Sequence, residues 1–486
     1  MAGICVTLGE GDTTEALARM AEFAPVADLF EIRADLLSAV DLAALRAGTT
    51  RPLVLTCRAA SQGGRRDDAD PARRDTLAAG LRLGYEHVDV EYGLGLEDVK
   101  AAAGARLVLS HHDFAGTPGD LEALYAAMCA ERPGVVKIVA TPRTFADVAR
   151  LLSFAARAHV TGPVPLIALA MGPLGIATRV LAGRYGAPWI YASPTHGREV
   201  APGQVDARTL DVVYRARSIS SATRVYGVLG GDVSRSLSPA MHNRAFAARA
   251  LDAVLVPWSV DDLGAFWDAL PSLDLAGFSV TRPYKADVIP RLQSVEGDAE
   301  HMDSVNTVVR AADGWAGEST DGDGVVAPLL ERRVLAGARV VVLGAGGAAR
   351  AAAEVLTRGC AQVTLLARDG ARAAEAAARV PCAHGTLDDL PAQRWDVLVN
   401  ATPVGQAPRV DETLVPAALL RAGTIVFDMV TTPRETRLLR EARAAGCVVI
   451  AGHEMLAAQG FRQFELWTGQ DAPRDAMRAA VAEAAA

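Results

Sequence analysis

Two successive stretches of alternating strands and helices predict an α/β protein, an N-terminal (β/α)8 TIM barrel followed by a two-lobed α/β unit with a Rossmann-type lobe. Three observations carry this expectation. Eight short β-branched runs alternate with Ala- and Leu-rich segments of helical period between residues 3 and 193. A polar segment, Ser218 to Thr223, precedes a fresh strand at Tyr226 to Gly230. A further start occurs at Ala338 to Leu343, where an apolar run enters a glycine-rich turn. The length of 486 residues agrees with at least two domains, because single cores stop growing near ~250 to 300 residues.

The eight runs read ICVTL (4–8), DLFEIR (28–33), LVLTC (53–57), HVDVE (87–91), LVLS (107–110), VVKIV (135–139), PLIALA (165–170) and WIYAS (189–193). Eight βα units in about 215 residues fit a compact TIM barrel, with a doubly wound open sheet as the alternative. A helix over Asp206 to Arg217 closes this part, and domains are expected at 1–218 and 224–486. In the second, the strand at Ala338 to Leu343 leads through GAGGAA (Gly344 to Ala349) into a helix reaching Arg358, and QVTLLAR (Gln362 to Arg368) supplies the next strand.

Half the residues are apolar and 22% are charged, which excludes a disordered or fibrous chain. Lys plus Arg number 49 against 57 for Asp plus Glu, a net charge of -8 that argues against nucleic acid or anionic membrane as the partner. No window approaches the ~18 apolar residues of a membrane span, and no export address is visible, so small-molecule substrates and a cytoplasmic location are expected. Cys5, Cys57, Cys129, Cys360, Cys382 and Cys447 lie at least 22 positions apart, which excludes a close-spaced zinc or redox pair. They are expected as small buried hydrophobes, and no metal site is expected. Oligomeric state is not legible.

In a barrel, ligand-binding residues belong at the C-terminal ends of strands, and charge gathers there. The second run ends with Glu31 and Arg33, the third at Arg58, the fourth at Asp89 and Glu91, the fifth at His111, His112 and Asp113, and the sixth carries Lys137. Lys137 within VVKIV is either a snorkelling edge residue or an inward, desolvated amine that acts as a nucleophile. An amine that forms a Schiff base with a ketone also needs a general base, an orienting carboxylate and cations for an anionic substrate, and all are available here.

These residues resemble the type I 3-dehydroquinate dehydratase family, through FEIRAD around Glu31, TCR at Arg58, VDVE at Glu91, SHHDF at Ser110 to Phe114, KI at Lys137, MGPLGIATR at Met171 to Arg179 and APGQ at Ala201 to Gln204. The resemblance implies that Lys137 forms the iminium and that His112 removes the acidified proton, with Glu91 orienting His112. It implies that Glu31 and Arg33 hold ring hydroxyls, that Arg58, Arg179 and Gln204 bind hydroxyl and carboxylate groups, and that Met171 lines the pocket. His111 is expected to face away, since strand neighbours point to opposite faces. Val200 stands where the family usually has serine.

The turn GAGGAA places Gly344, Gly346 and Ala349 in the G-x-G-x-x-A arrangement, which suits a dinucleotide pyrophosphate at a helix N-terminus or a purely structural turn. Arg368 and Arg372 favour the 2′-phosphate of NADP, whereas Asp369 leaves an NAD ribose open. GGDVSRSLSPAMHN (Gly230 to Asn243), GFSVTRPYK (Gly277 to Lys285), SVNT, STDGDG, GAGGAAR, ARDGARA, NATPVG and GHEMLAAQ, in order, resemble shikimate dehydrogenase. The resemblance implies Ser236 and Ser238 on the substrate carboxylate, and Thr281, Asn306 and Gln459 on ring hydroxyls. Lys285 and Asp321 would be the catalytic pair. Gly344, Ala345, Gly346, Gly347, Ala348, Arg368, Arg372, Asn400 and Thr402 would contact NADP. It further implies a substrate lobe at about 224–325 plus helices at about 455–486, with the cofactor lobe at about 326–454.

Arg235, Ser279, Ser319, Ala367 and Thr431 depart from the usual bacterial dehydrogenase pattern, while Ser238 and Thr281 favour shikimate over quinate. The order of the halves resembles the fused plant enzymes. The expectation is a dehydratase that feeds an NADPH-dependent reductase; the alternatives are a quinate- or shikimate-degrading pair with NAD or NADP, and a regulatory protein that has lost catalysis.

Overall fold

The structure is a computed structural model that describes residues 2–359, 361–378 and 380–485; Cys360, expected as a buried hydrophobe, lies outside the described residues. The chain forms two compact units, Met1–Pro239 with Asp252–Tyr284, and Ala240–Leu251 with Lys285–Ala486.

In the first unit, β1 (Gly3–Leu8), β2 (Leu29–Arg33), β3 (Leu53–Thr56), β4 (His87–Glu91), β5 (Leu107–Asp113), β6 (Val135–Ala140), β7 (Leu166–Ala170) and β8 (Trp189–Ala192) form one parallel sheet. Its order, β7-β6-β5-β4-β3-β2-β1-β8, is that of a nearly closed barrel rather than a doubly wound sheet. The expected strands lie within a residue or two of the observed ones, except that β5 continues through His111, His112 and Asp113. Every residue of β2, β3, β6, β7 and β8 is buried, as parallel strands covered on both faces must be.

The expected helix at Asp206 to Arg217 is broken. A five-residue π-turn at Thr209–Val213 and a 3-10 turn at Ala216–Ser218 replace it. Arg215 takes φ +51 between them, donating from Nη2 to the Ala253 carbonyl at 2.8 Å, and Arg217 bonds Asp28 at 2.7 Å. Those long-range bonds override local helical preference.

The first unit continues into β9 (Arg224–Gly230), β10 (Ala253–Ser259) and β11 (Leu275–Val280), parallel in the order β10-β9-β11. The helix Leu263–Leu273 packs on the barrel helix Phe145–Thr161, and β10 on the short barrel helix Ile176–Val180. The Phe145 ring lies 5.3 Å from Phe266 and 6.2 Å from Trp258, and its backbone N–H donates to Asp261 at 2.8 Å.

In the second unit, β13 (Thr307–Ala311) and β14 (Gly314–Glu318) form an antiparallel hairpin, with β12 (Ser294–Glu296) parallel to β14. Six further strands, β15 (Arg339–Leu343), β16 (Gln362–Ala367), β17 (Ala383–Thr386), β18 (Val397–Asn400), β19 (Ile425–Asp428) and β20 (Val448–Ala451), are all parallel. Their order, β17-β16-β15-β18-β19-β20, is that of a dinucleotide-binding Rossmann sheet. Alternate residues feed opposite cores: Val340, Val342 and Val399 pack with the helix Gly347–Arg358, whereas Val341, Leu343 and Leu398 pack with the helix Arg437–Ala444. No helix among the described residues is long and apolar enough to cross a membrane.

Candidate active sites

The barrel mouth is a cavity lined by Glu31, Arg33, Arg58, His112, Lys137, Met171, Arg179 and Gln204, together with Gln62, Phe114, Tyr191 and Val200. Of the strand-end residues singled out in the sequence, Asp89, Glu91, His111 and Asp113 are not on this wall; among those given a catalytic or binding role, Glu91 alone is missing from it. The parallel register explains the convergence, because Glu31 on β2, Asp89 on β4, Ser110 on β5 and Lys137 on β6 all share the inward face.

Lys137 is an inward amine, 5% exposed, and not a snorkelling one. Its Nζ donates to Asp89 at 3.0 Å, lies 3.9 Å from Glu31 and sits 4.1 Å above the Tyr191 ring. Arg58 grips Asp89 through two bonds of 2.8 Å, and Ser110 adds a third at 2.6 Å. Burial raises the Asp89 pKa, but Arg58 and Lys137 outweigh it and hold the carboxyl well below the usual carboxylate range. Glu31 accepts from Thr7 at 2.9 Å and Thr56 at 2.8 Å, while Arg33 is paired with Asp35.

The His112 pKa is driven well below its usual range by burial, with Arg58, Lys137 and Arg33 adding to the effect and Asp89 opposing it. The imidazole is therefore neutral at neutral pH and can accept a proton. His111 does not line the cavity.

The expected role of Glu91 requires correction. Its oxygens accept from Arg58 at 3.3 Å, from the Ala59 N–H at 2.9 Å and from Arg73. The side chain bonded to His112 is Gln62, whose Oε1 accepts from the His112 N–H at 2.8 Å and lies 3.3 Å from Nδ1. Two arginines outcompete a neutral ring for the carboxylate. Sequence reasoning missed Gln62, Arg73 and Tyr191, and noted Asp89 without giving it a role; the alternation of Asp89 and Glu91 on one strand was the signal that both point inward.

Arg179 is 2% exposed and burial lowers its pKa to about 10. Its Nη2 donates to the Pro202 carbonyl at 3.1 Å, its Nε has no partner, and no carboxylate among the described residues lies within ion-pair distance. A desolvated, unpaired guanidinium on a cavity wall is a ready anion site. Gln204, on the same wall, accepts from the Val200 N–H at 3.1 Å and donates to Thr7 at 3.3 Å.

In the first unit, Ser236 and Ser238 follow β9, the Ser238 N–H donating to Ser236 Oγ at 3.2 Å. Thr281 follows the neighbouring β11 and donates its N–H to the Leu229 carbonyl at 2.8 Å. In the second unit, Lys285 Nζ donates to Asp321 Oδ2 at 2.5 Å, and Asn306 Nδ2 donates to Asp321 Oδ1 at 2.9 Å. Asn306 also reaches Thr320 at 3.0 Å and Gln459 Oε1 at 3.3 Å. Lys285, Asp321, Asn306 and Gln459 thus form one connected network.

The turn Gly344–Ala349 lies between the end of β15 and the helix Gly347–Arg358, beside β18, where the strand order reverses and ligands bind in such sheets. Gly344 has φ +122, and a Cβ there would stand 3.2 Å from the Ala401 carbonyl. Open space surrounds the Cβ positions of Gly346 and Gly347, and no side chain caps this helix, so its first amides are free for an anion. The residues fit a dinucleotide pyrophosphate. Asn400 is turned inward: it donates to Asp428 at 2.9 Å and to the Val404 carbonyl at 3.2 Å, and accepts from Thr402 at 2.7 Å, which shapes the neighbouring loop. Arg368 and Arg372 are exposed, whereas Asp369 accepts from the N–H groups of Ala371 and Arg372 at 3.0 and 3.3 Å. No cluster of metal-ligating side chains occurs among the described residues.

Comparison with known proteins follows the same division. The type I 3-dehydroquinase family matches residues 4–221, and the shikimate dehydrogenase substrate binding domain matches 228–308. The shikimate / quinate 5-dehydrogenase family matches 329–441, and the shikimate 5'-dehydrogenase C-terminal domain matches 452–482. The chain is 34% identical over 479 residues to the chloroplastic bifunctional 3-dehydroquinate dehydratase/shikimate dehydrogenase of Arabidopsis thaliana, covering 92% of this chain and 79% of the plant protein. It is 42% identical over 248 residues to the shikimate dehydrogenase (NADP(+)) of Pyrococcus abyssi, covering 51% and 92%. The crystal structure of the Thermus thermophilus shikimate 5-dehydrogenase with NADP(H) and shikimate superposes with a TM-score of 0.50 at 33% identity, covering 54% of this chain and 100% of that one. A lysine-bearing barrel joined to a Rossmann reductase, and a plant relative matched across both parts, place this chain in the family of bifunctional 3-dehydroquinate dehydratase/shikimate dehydrogenases.

Proposed function

We propose that the barrel dehydrates 3-dehydroquinate to 3-dehydroshikimate and that the remainder of the chain reduces this product to shikimate with NADPH, the two catalytic domains dividing at residues 218–224. The observation that carries the first half is the unpaired, buried Arg179 in one cavity with the nucleophile Lys137 and the neutral His112. The cation awaits a carboxylate, the amine a ketone, and the imidazole a proton.

Lys137 attacks the ketone and expels water to give an iminium, whose positive charge acidifies the adjacent C–H. His112 takes that proton and passes it to the tertiary hydroxyl, which leaves as water, and hydrolysis of the iminium frees Lys137. Asp89 and Tyr191 hold the amine; Glu31, Arg33, Arg58 and Gln204 bind oxygens of the ring, and Met171 supplies an apolar wall.

In the reductase, bound NADPH supplies the hydride. Lys285 Nζ donates the proton that the ketone oxygen needs as it becomes an alcohol, and Asp321 fixes that ammonium while Asn306 and Gln459 hold neighbouring hydroxyls. Ser236 and Ser238 take the carboxylate, and Thr281 takes a ring hydroxyl. The exposed Arg368 and Arg372 receive the 2′-phosphate, while Asp369 spends Oδ1 on the N–H groups of its own helix start. The match along the chain to a bifunctional 3-dehydroquinate dehydratase/shikimate dehydrogenase does not favour the quinate-degrading reading. The substrates are small acids, and we place the enzyme in the cytoplasm.

The test is to supply 3-dehydroquinate with and without NADPH and to identify products by mass spectrometry. Dehydroshikimate without cofactor and shikimate with it are expected. Turnover that survives in both Lys137→Ala and Lys285→Ala refutes these assignments.

A further inference from the structure

Behind the network of Lys285, Asp321, Asn306 and Gln459 lie Gln463, Thr307 and His242, buried polar side chains with no part in the chemistry. The helix Gly452–Thr468 turns Gln459 and Gln463, one turn apart, toward Asn306, and Gln463 is the deeper, 2% exposed against 8%. Gln463 Nε2 donates to the Asn306 carbonyl at 3.3 Å and to Thr307 Oγ1 at 3.1 Å. Its Oε1 lies 3.2 Å from Nε2 of His242. Polar groups at this depth are costly unless each meets a partner, so the bonds hold one another in place.

Backbone groups fix the direction of every bond in the run. The Asn306 carbonyl only accepts, so the Gln463 atom facing it is Nε2, and Oε1 faces His242. Oε1 only accepts as well, so His242 carries its proton on Nε2; burial lowers its pKa to about 4 and keeps the ring neutral. At the other end the Thr320 N–H, 2.8 Å from the Asn306 side chain, only donates. The atom it meets is therefore Oδ1, and Nδ2 is left to face Asp321. Thr307 joins the two ends: its Oγ1 accepts from Gln463 and gives its single hydrogen to Asn306 Oδ1 at 2.8 Å. Donation thus runs one way, from His242 through Gln463, Thr307 and Asn306 to the Asp321 carboxylate, whose other oxygen accepts from Lys285. Bonds aligned head to tail polarise and reinforce one another. An Asn306 amide turned over would set an oxygen against that carboxylate.

We propose that Gln463 is a positioning residue of the reduction: through Thr307 it holds Asn306 with Nδ2 turned to Asp321, which keeps the carboxylate aligned on the Lys285 ammonium. The inference rests on Lys285 and Asp321 being the proton-donating pair. Gln463 acts through Asn306 and not on the substrate.

The test uses the whole chain carrying Gln463→Glu, Thr307→Val or both, in steady-state reduction of 3-dehydroshikimate by NADPH, with NADPH binding and thermal melting measured alongside. Gln463→Glu keeps the size and the acceptor for His242 but cannot donate to Thr307. It should lower kcat about tenfold, a fraction of what a general acid supplies, and leave the KM for NADPH unchanged. Thr307→Val removes only the hydroxyl and should do the same. The combined variant should lose no more than the larger single loss, because both changes break one chain. The solvent deuterium isotope effect on kcat should rise in each, as proton donation from Lys285 becomes slower. Wild-type kcat in either single variant overturns the proposal. So do losses that multiply in the combined variant, and a fall in kcat matched by an equal fall in NADPH affinity, which would leave Gln463 a merely structural role. If Gln463→Glu does not fold, kcat of Thr307→Val decides alone. A Lys285→Ala enzyme that reduces at the wild-type rate refutes the reading of the pair and the proposal with it, whereas an inactive Lys285→Ala beside a fully active Gln463→Glu refutes the proposal alone.

Discussion

Replacing Asp89 with asparagine conserves volume and removes one charge from the centre of the barrel. Asp89 is fully buried and faces two cations, Arg58 at 2% exposure and Lys137 at 5%. It accepts two bonds of 2.8 Å from the first and one of 3.0 Å from the second. Glu91 remains 3.3 Å from Arg58, so Lys137 suffers most, with Glu31 no nearer than 3.9 Å. Breaking a buried ion pair from one side costs about 3 to 5 kcal/mol, because the other charge stays behind unpaired. At roughly 2 to 4 °C per kcal/mol for a domain of barrel size, the transition of this part should fall by about 6 to 20 °C in scanning calorimetry. The folded Asp89 pKa is depressed, so its stabilisation is fully present above the ordinary carboxylate value near ~4 and drains away as pH falls below it. The gap between wild type and Asp89→Asn should therefore be flat around neutral pH and narrow in acid. A variant that melts within about 2 °C of wild type at neutral pH, or a gap unchanged by acid, refutes the reasoning.

Arg179→Met should raise KM for the carboxylate substrate by roughly tenfold to a hundredfold, the worth of a charged hydrogen bond, while leaving thermal stability equal or higher; a lowered melting temperature with unchanged KM would show the guanidinium to be structural. Lys285→Ala should lower reduction by about a hundredfold or more and leave dehydration untouched, checked by following both products in one reaction. Gly344→Ala, at φ +122 and 3.2 Å from the Ala401 carbonyl, should weaken NADPH binding in a fluorescence titration without affecting the barrel, and wild-type affinity would contradict the tight-turn argument.

The strands were legible because parallel strands buried on both faces read as apolar runs, and VVKIV and ARVVVL have no other plausible home. Lys137 stood out in such a run, but the run left it either a snorkelling edge residue or an inward amine, and it was the charged residues on neighbouring strands and the family resemblance that pointed to the second. What stayed hidden depends on register and on loops. Nothing local says that Arg73, on a helix, reaches back to Glu91, or that the turn at Ala60–Gln62 delivers an amide to His112. Glu91 was therefore assigned to the ring when two arginines had the stronger claim on it. The segment from Asp206 to Arg217 looked helical by period, but bonds from Arg215 and Arg217 to distant residues broke it.

The Phe145 cluster separates two boundaries that are usually assumed to coincide. A nick within Ser218 to Thr223 would cut the polypeptide between the two proposed catalytic domains, yet Trp258 and Phe266 on one side of the nick pack on Phe145 on the other. Each fragment released from its partner would bear an apolar scar, so the halves are obliged to stay together after the peptide bond is gone. Packing of this kind gives selection a reason to retain a fused gene that is independent of any handing-on of an intermediate.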